Sequence, residues 1–404
     1  MTESRAKIML SAIEGPLTVP AETLAAEWSG PAALDPQTLT ARIRQALDEP
    51  LDYPPLGRIV VPGDHVVLVL EPGTPDWPRI VSAVIERLTA AGVELQAISL
   101  LGSPGQDRPQ SPLLPPEVAW LAHTPEDRAE LAYLSNTTSG RRVYLNRHLA
   151  EADVVIPIGW LRDRQGFGLF GPWFTIFPET SDEPTRTEFH RVRPARQDSE
   201  PSPVKEAVEV NWHLGARFQV AVLPGASGTA DVLAGDVEKL VQAAKERFEK
   251  GWRFTAKETT ELLVLGLGDA SAGLPVSWEE LTRTMVLARS LVEPGGRMVL
   301  ACPTLEPPGA ALRFLAEMDD PSIAAKALKE FKDQPDYRAA VRLARFDRTG
   351  PIGLLSQLPD DVVENLGFVP IRDADELEKM LQKANASCIV NRAELTRISL
   401  ETTR

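Results

Sequence analysis

Residues 153–190 read DVVIPIGWLRDRQGFGLFGPWFTIFPETSDEPTRTEFH, and the fold is organised around this change from strand to loop. The apolar run at residues 154–158 predicts a buried strand. Gly159 ends the run, and a segment rich in glycine, aromatic residues and proline follows. In an open α/β sheet, ligands bind outside the carboxyl ends of the strands. The loop after this strand is therefore the first place to look for functional side chains.

Apolar runs and amphipathic runs alternate on both sides of this stretch. Residues 35–47 predict a helix capped by Asp35 or Thr38, and a strand at residues 65–70 precedes a helix at residues 79–91 that Gly92 ends. Further on, a helix is predicted at residues 203–214, and strands at residues 217–223 and 261–267. The fold class predicted is therefore α/β, with two domains, each a mostly parallel sheet flanked by helices, and an interdomain cleft.

The length of 404 residues suits two domains. Composition changes near residues 251–258, after a long amphipathic run. We therefore predict an N-terminal α/β domain over residues 1–252 and a C-terminal α/β domain over residues 253–404.

Composition excludes several classes of partner. The formal net charge of −14 argues against nucleic acid or an anionic membrane as the main partner. No apolar run is long enough to span a bilayer, and the N-terminus lacks the layout of a secretion signal, so we expect a cytoplasmic protein. Cys302 and Cys388 stand far apart and form no metal-binding spacing, which favours two buried thiols. The sequence predicts no oligomeric state.

Charged side chains follow the aromatic segment. Glu179, Glu183 and Glu188 lie near Arg186, and this composition favours a solvated charged loop. Acid–base chemistry there would need burial to shift the pKa values of the carboxyl groups, and the sequence does not show burial.

Three long stretches resemble the lactate racemase family in composition and order. They are residues 54–109 (PPLGRIVVPGDHVVLVLEPGTPDWPRIVSAVIERLTAAGVELQAISLLGSPGQDRP), residues 139–159 (SGRRVYLNRHLAEADVVIPIG) and residues 231–248 (DVLAGDVEKLVQAAKERF). Members of that family bind a nickel-pincer nucleotide made from nicotinic acid, and they racemise or epimerise 2-hydroxy acids by hydride transfer. The resemblance covers nearly the full length, so it implies that fold and that ancestry.

The functional residues that the family would supply are mostly replaced. Its Asp-x-Thr-Arg-Pro loop retains only Thr74, and its first acid–base histidine corresponds to Pro104. Its second acid–base histidine corresponds to Arg164, and the lysine that anchors the pincer corresponds to Phe174. The family's nickel-binding histidine matches His190 by spacing. The lysine and glutamine of the second domain correspond to positions near Thr282 and Met285.

These replacements remove the family's chemistry. Proline cannot move a proton, arginine stays protonated, and phenylalanine cannot form the covalent link to the cofactor. We therefore predict a divergent member that carries no cofactor and does not racemise hydroxy acids. It would keep a ligand or partner in the interdomain cleft, a small anionic ligand among the possibilities.

Two alternatives stay open. An isomerase with altered chemistry would act on a hydroxy acid or sugar acid through Arg164 and His190 as catalytic residues, with His190 as metal ligand if nickel is retained. A structural or interaction subunit would use its aromatic residues as core or as a partner surface.

Five residues are predicted to contact a ligand. They are Thr74, Asp76, Arg108, Trp173 and Phe174.

Overall fold

The computed structural model describes residues 5–164, 168–190, 202–269, 275–318, 324, 326–347 and 350–401, apart from the side chains of Arg164 and His190. Its strands are β1 (Arg5–Met9), β2 (Pro16–Pro20), β3 (Leu24–Trp28), β4 (Val66–Leu70), β5 (Ile98–Leu101), β6 (Ala119–Leu121), β7 (Leu131–Asn136), β8 (Arg142–Asn146), β9 (Val154–Trp160), β10 (Arg162–Arg164), β11 (Gly168–Phe170), β12 (Phe218–Gly225), β13 (Gly228–Asp236), β14 (Arg253–Ala256), β15 (Thr260–Gly266), β16 (Val292–Ala301), β17 (Ile352–Leu355), β18 (Val369–Ile371), β19 (Ser387–Val390) and β20 (Arg397–Leu400).

The α-helices of the described residues lie between these strands along the chain. They are α1 (Pro36–Asp48), α2 (Trp77–Ala90), α3 (Arg147–Glu151), α4 (Trp173–Ile176), α5 (Glu183–His190), α6 (Pro203–Leu214), α7 (Val237–Gly251), α8 (Trp278–Ala288), α9 (Ala310–Ala316), α10 (Tyr337–Arg345), α11 (Asp360–Asn365) and α12 (Ala374–Lys383). Every one of them is too short or too polar to cross a membrane.

The chain forms two compact units. We call Ala32–Lys250 the central unit, and Met1–Pro31 together with Gly251–Arg404 the terminal unit. The change of unit at Gly251 lies close to the boundary predicted after residue 252. The prediction placed the residues up to Pro31 in the N-terminal domain. In the structure they belong to the terminal unit, because β3 hydrogen-bonds to β19 and so completes the sheet of that unit.

The central unit is built on a six-stranded sheet in the order β13-β12-β9-β4-β5-β6. All neighbours are parallel except β12 and β13, which form an antiparallel hairpin. Every residue of β4 and of β12 is buried, as expected for strands covered on both faces. The strand predicted at the start of the 153–190 stretch is β9, next to β4 in the middle of this sheet.

The order of these strands fixes where a ligand site is expected. The chain passes from β4 to β5 and β6 on one side, and then returns to β9 on the other side of β4. The gap between the carboxyl ends of β4 and β9 is therefore the topological switch point of the sheet, the usual ligand position in open α/β folds.

The terminal unit has a second six-stranded sheet, in the order β18-β17-β16-β15-β19-β3, and all its neighbouring strands are parallel. Buried apolar residues pack on both of its faces. The prediction of α/β architecture with mostly parallel sheets flanked by helices is thus confirmed in both units.

Two local expectations differ from the structure. The acidic segment predicted as a solvated loop forms helix α5 from Glu183 onward, where Arg186 pairs with Glu183 at 2.8 Å and with Glu179 at 3.5 Å. The sequence does not predict strand β13, since polar residues and glycine lie towards both of its ends. Its pairing with β12 is what makes it a strand.

Candidate functional site

A buried acid stands at the switch point of the central unit. Glu71 directly follows β4, and only 9% of its surface is exposed. One carboxylate oxygen, Oε2, accepts a hydrogen bond of 3.1 Å from the backbone N–H of Trp160, the last residue of β9. The other, Oε1, forms an ion pair with Arg162. Glu71 therefore joins the ends of the two strands that flank the switch point.

Gly159 makes this approach possible. A Cβ atom at this position would lie 2.6 Å from Glu71 Oε2 and 3.0 Å from the Cα atom of Pro172. Both distances leave no room for a methyl group. The glycine that ends the apolar run is thus needed for the Glu71 carboxylate to reach the β9 backbone.

Aromatic rings hold Arg162 in place. Its guanidinium carbon lies 4.7 Å from the ring centroid of Trp160 and 5.1 Å from that of Phe170, within the range of cation–π attraction. The indole N–H of Trp160 donates to the carbonyl oxygen of Pro72 at 3.2 Å, which fixes the first of these rings. The side chain of Arg162 keeps 17% exposure.

Burial dominates the electrostatics of this pair. Burial raises the pKa of the Glu71 carboxyl, and the Arg162 charge, the Arg162 hydrogen bond and the Trp160 N–H oppose the rise without cancelling it. The nearby charge of Glu179 adds to the rise. Glu71 therefore takes up a proton at a higher pH than an exposed glutamate does.

The predicted residues Thr74 and Asp76 shape the loop that follows Glu71. The hydroxyl of Thr74, which is buried, donates to the carbonyl oxygen of Glu71 at 2.8 Å. Asp76 adopts a left-handed conformation with φ of 49°, and its Oδ2 accepts from the N–H of Thr229 at 3.0 Å. Both polar groups bond within the unit, so these contacts give them a role in loop geometry, while ligand binding by them stays a prediction.

Arg108 lies apart from these residues in the loop between β5 and β6. It is half-buried, and its Nη2 donates to the carbonyl oxygen of Pro115 at 3.4 Å.

Trp173 and Phe174 lie in the core. Phe174 is 1% exposed and stacks on Phe170 with ring centroids 4.0 Å apart, and it meets the edge of Phe189 at 5.8 Å. Trp173 is fully buried beside Gly171, where a Cβ would lie 2.6 Å from the indole ring. Together with Phe177, these side chains form a buried aromatic cluster and not an exposed partner surface.

The two predicted catalytic residues are located by their backbone alone. Arg164 pairs with Gly168 in the β10–β11 hairpin, directly after β9. His190 is the last residue of α5. Their side chains, and Phe167, lie outside the described residues, so their catalytic and metal-binding roles stay predictions.

A nickel-pincer nucleotide attached through lysine does not fit the residues at Phe174. The resemblance assigns the lysine to that position, and the structure places a phenylalanine ring there inside the aromatic cluster. Within the described part of the chain, no group of three or more His, Cys, Asp or Glu side chains is arranged to hold a metal.

Another buried polar group, at His123, is satisfied internally. His123 Nε2 lies 2.9 Å from the carbonyl oxygen of Ser181, and Nδ1 lies 3.3 Å from the side-chain nitrogen of Asn146. The amide donates to Nδ1 if Nε2 carries the proton, and burial lowers the pKa of the ring, which favours this neutral form. A structural role accounts for all of these contacts.

The sequence interpretation missed Glu71 and Arg162. The family's motif loop corresponds to residues 72–76, which begin one position beyond Glu71. The available signal was a carboxylate directly after five apolar residues, because a charge at the carboxyl end of a buried parallel strand stands where ligands bind.

Comparisons with known proteins agree with this fold. Residues 13–200 match the family model of the lactate racemase N-terminal domain. The lactate racemase apoprotein from Thermoanaerobacterium thermosaccharolyticum superposes with a TM-score of 0.68 at 14% identity, covering 98% of this chain and 100% of that one. A Thermotoga maritima protein gives a TM-score of 0.64 at 12% identity, covering 92% of this chain and 100% of that one.

No curated protein shows significant sequence similarity to this chain. The structural matches establish the fold, and the family model identifies the domain that carries the Glu71 site. Residues 13–200 therefore match the lactate racemase N-terminal domain, and the chain as a whole shares the fold of a lactate racemase.

Proposed function

We propose that this protein uses the lactate racemase fold without the nickel-pincer nucleotide, and that it binds a small carboxylate ligand beside Arg162. One observation supports the absence of the nickel-pincer nucleotide. Phe174 occupies the position assigned to the anchoring lysine, and its ring is stacked on Phe170 in the core. A phenylalanine offers no amine for a covalent link, and its burial leaves no opening for one.

The ligand class follows from Arg162. The ion pair with Glu71 uses Nη1, which is buried. The 17% of the Arg162 side chain that is exposed therefore belongs to its other atoms, which a ligand can reach. A guanidinium group binds carboxylates through two parallel N–H donors. Arg164 follows on the same strand, and we propose that it adds a second positive charge to the site.

Elemental and mass analysis tests the loss of the cofactor. The full-length protein is purified from a host that synthesises the nickel-pincer nucleotide, and nickel is measured together with intact mass. We expect substoichiometric nickel and the mass of the unmodified chain. Stoichiometric nickel with an adduct on the protein would overturn this half of the proposal.

Isothermal titration with lactate and gluconate tests the ligand site. Replacing Arg162 with methionine should weaken binding about tenfold or more, since a charge-assisted hydrogen bond is lost. Arg217→Met is the matched control, because Arg217 also pairs with a carboxylate, Asp236, and also lies over an aromatic ring, Tyr53, at 5.5 Å. Equal effects of the two substitutions would reject the assignment of Arg162.

An isomerase with altered chemistry is the second candidate, and the raised pKa of Glu71 favours it. A carboxyl group that exchanges a proton nearer neutral pH is suited to general acid–base catalysis. Turnover is screened over hydroxy acids and sugar acids with the wild type, Glu71→Gln and His190→Ala. Undiminished turnover in both variants would reject these residues as catalytic groups.

A cytoplasmic location belongs to the same proposal. Cys302 and Cys388 are free and buried, which suits a reducing compartment.

A further inference from the structure

The sheet of the terminal unit has its own switch point, between β15 and β19. The chain passes from β15 to β16, β17 and β18 on one side, and β19 lies on the other. The residues that follow the two strands meet there: Arg392 Nη1 donates to Asp269 Oδ2 at 3.3 Å, and the N–H of Ala393 donates to the carbonyl oxygen of Gly266 at 2.8 Å. The same topology that places Glu71 in the central unit thus selects this second position.

Glu394 presents an unused acceptor at this position. The residue is 7% exposed, and its Oε1 accepts a hydrogen bond of 2.7 Å from Nε of Arg392. Its other oxygen, Oε2, is buried, and in the described ranges no group donates to it. A buried carboxylate oxygen without a donor is costly, so a donor from a bound molecule would stabilise it.

The surroundings of Glu394 are negative. Burial, and then the charges of Glu394, Glu280 and Glu306, raise the pKa of the thiol of Cys302, which directly follows β16. These carboxylates therefore act together on the edge of the sheet where Glu394 lies. The Arg283 guanidinium donates to the backbone oxygen of Glu394 at 2.5 Å, and among the described residues none donates to Oε2.

We propose that the terminal unit binds a small organic cation whose ammonium group donates a hydrogen bond to Glu394 Oε2. With Asp269 included, four carboxylates stand against the two guanidinium groups of Arg283 and Arg392, so a cation complements the site. A metal ion is a poorer match, since the described residues contain no cluster of His, Cys, Asp or Glu side chains suited to one. This site is additional to the carboxylate site proposed for the central unit.

Ethanolamine and choline form a matched pair of probes. Both carry one positive charge and one hydroxyl group, but only the ethanolamine ammonium has N–H donors. At constant ionic strength, we expect ethanolamine to bind the full-length protein at least about tenfold more tightly than choline does in calorimetric titration, as the loss of a charged hydrogen bond predicts. Equal binding of both probes, or binding of neither, would overturn the proposal.

Substitutions locate the site. Glu394→Gln should abolish the preference for ethanolamine, because it replaces the acceptor carboxylate with an amide of nearly the same shape. Glu261→Gln is the control, since Glu261 lies at the opposite end of β15, where it pairs with Arg297 at 3.3 Å. A preference that survives Glu394→Gln, or that Glu261→Gln removes equally, would refute the site. If Glu394→Gln does not fold, the comparison of the two probes on the wild type still decides.

Discussion

Replacing Gly159 with alanine tests how tightly the Glu71 carboxylate is held between β4 and β9. The new Cβ would lie 2.6 Å from Glu71 Oε2 and 3.0 Å from Pro172 Cα, so either the carboxylate or the backbone has to move. Overpacking of this kind costs about 1–3 kcal/mol. Moving the carboxylate also weakens the bond from the Trp160 N–H, and a hydrogen bond to a charged group contributes about 1.5–3 kcal/mol.

The two costs arise from one displacement and do not simply add, so we expect Gly159→Ala to destabilise the central unit by about 2–4 kcal/mol. Hydrogen exchange followed by mass spectrometry reports this locally, through the protection of the β4 and β9 amides. A local measurement is preferable because a protein with two units need not unfold in a single transition.

Gly57→Ala provides the control. The nearest atom to a Cβ at Gly57, the Cβ of Ala91, is 3.9 Å away, an ordinary contact. Protection should therefore stay at the wild-type level in that variant. If Gly159→Ala leaves β4 and β9 as protected as Gly57→Ala does, the close approach of Glu71 to β9 is not a constraint on the fold.

Three further outcomes are expected. Phe174→Lys should lower the free energy of unfolding by at least about 3 kcal/mol more than Phe174→Leu does, because it buries an ammonium group against Phe170. The melting temperature reports this difference, and similar melting of the two variants would contradict the core position. Burial raises the pKa of Glu71 in the folded state, so the wild type should gain stability relative to Glu71→Gln as the pH falls through that raised value towards 4.5. Urea midpoints measured over this pH range report the trend, and the opposite slope would contradict it. Burial raises the pKa of Cys388 to about 12 and that of Cys302 well above its usual range, so a thiol reagent at pH 8 should label neither until denaturant is added.

Local signals in the sequence predicted local structure well. Asp35 was one of two candidate caps for the first helix, and its side chain does accept from the N–H groups of Gln37 and Thr38. The helix predicted at residues 203–214 has those bounds, and Gly92, at φ of 96°, follows the end of α2. Each of these depends on neighbours within one or two turns, which the sequence presents side by side.

Non-local pairing was harder to predict. β3 has alternating exposed and half-buried residues and no apolar run, and it is a strand because it lies against β19. β14 and β20 likewise depend on each other across more than 140 residues.

The site shows the same limit. Glu71 is placed by Trp160 and Arg162, about ninety residues further along the chain. The sequence identified the strand ends where a ligand site belongs, but only the sheet order showed which two of them are neighbours.

The pairing of β3 with β19 has a consequence for how the protein is made. Leu24 pairs with Ser387, so 363 further residues, the last of them Ser387, must be synthesised after Leu24 before the two can pair. At about 5–20 residues per second, the ribosome needs roughly 20–70 s for that length. The central unit emerges whole during this time, whereas the first strands of the terminal unit stay without their sheet. Nascent chains stalled before residue 387 should therefore bind chaperones through the segment containing β3, and chains released after β19 should not.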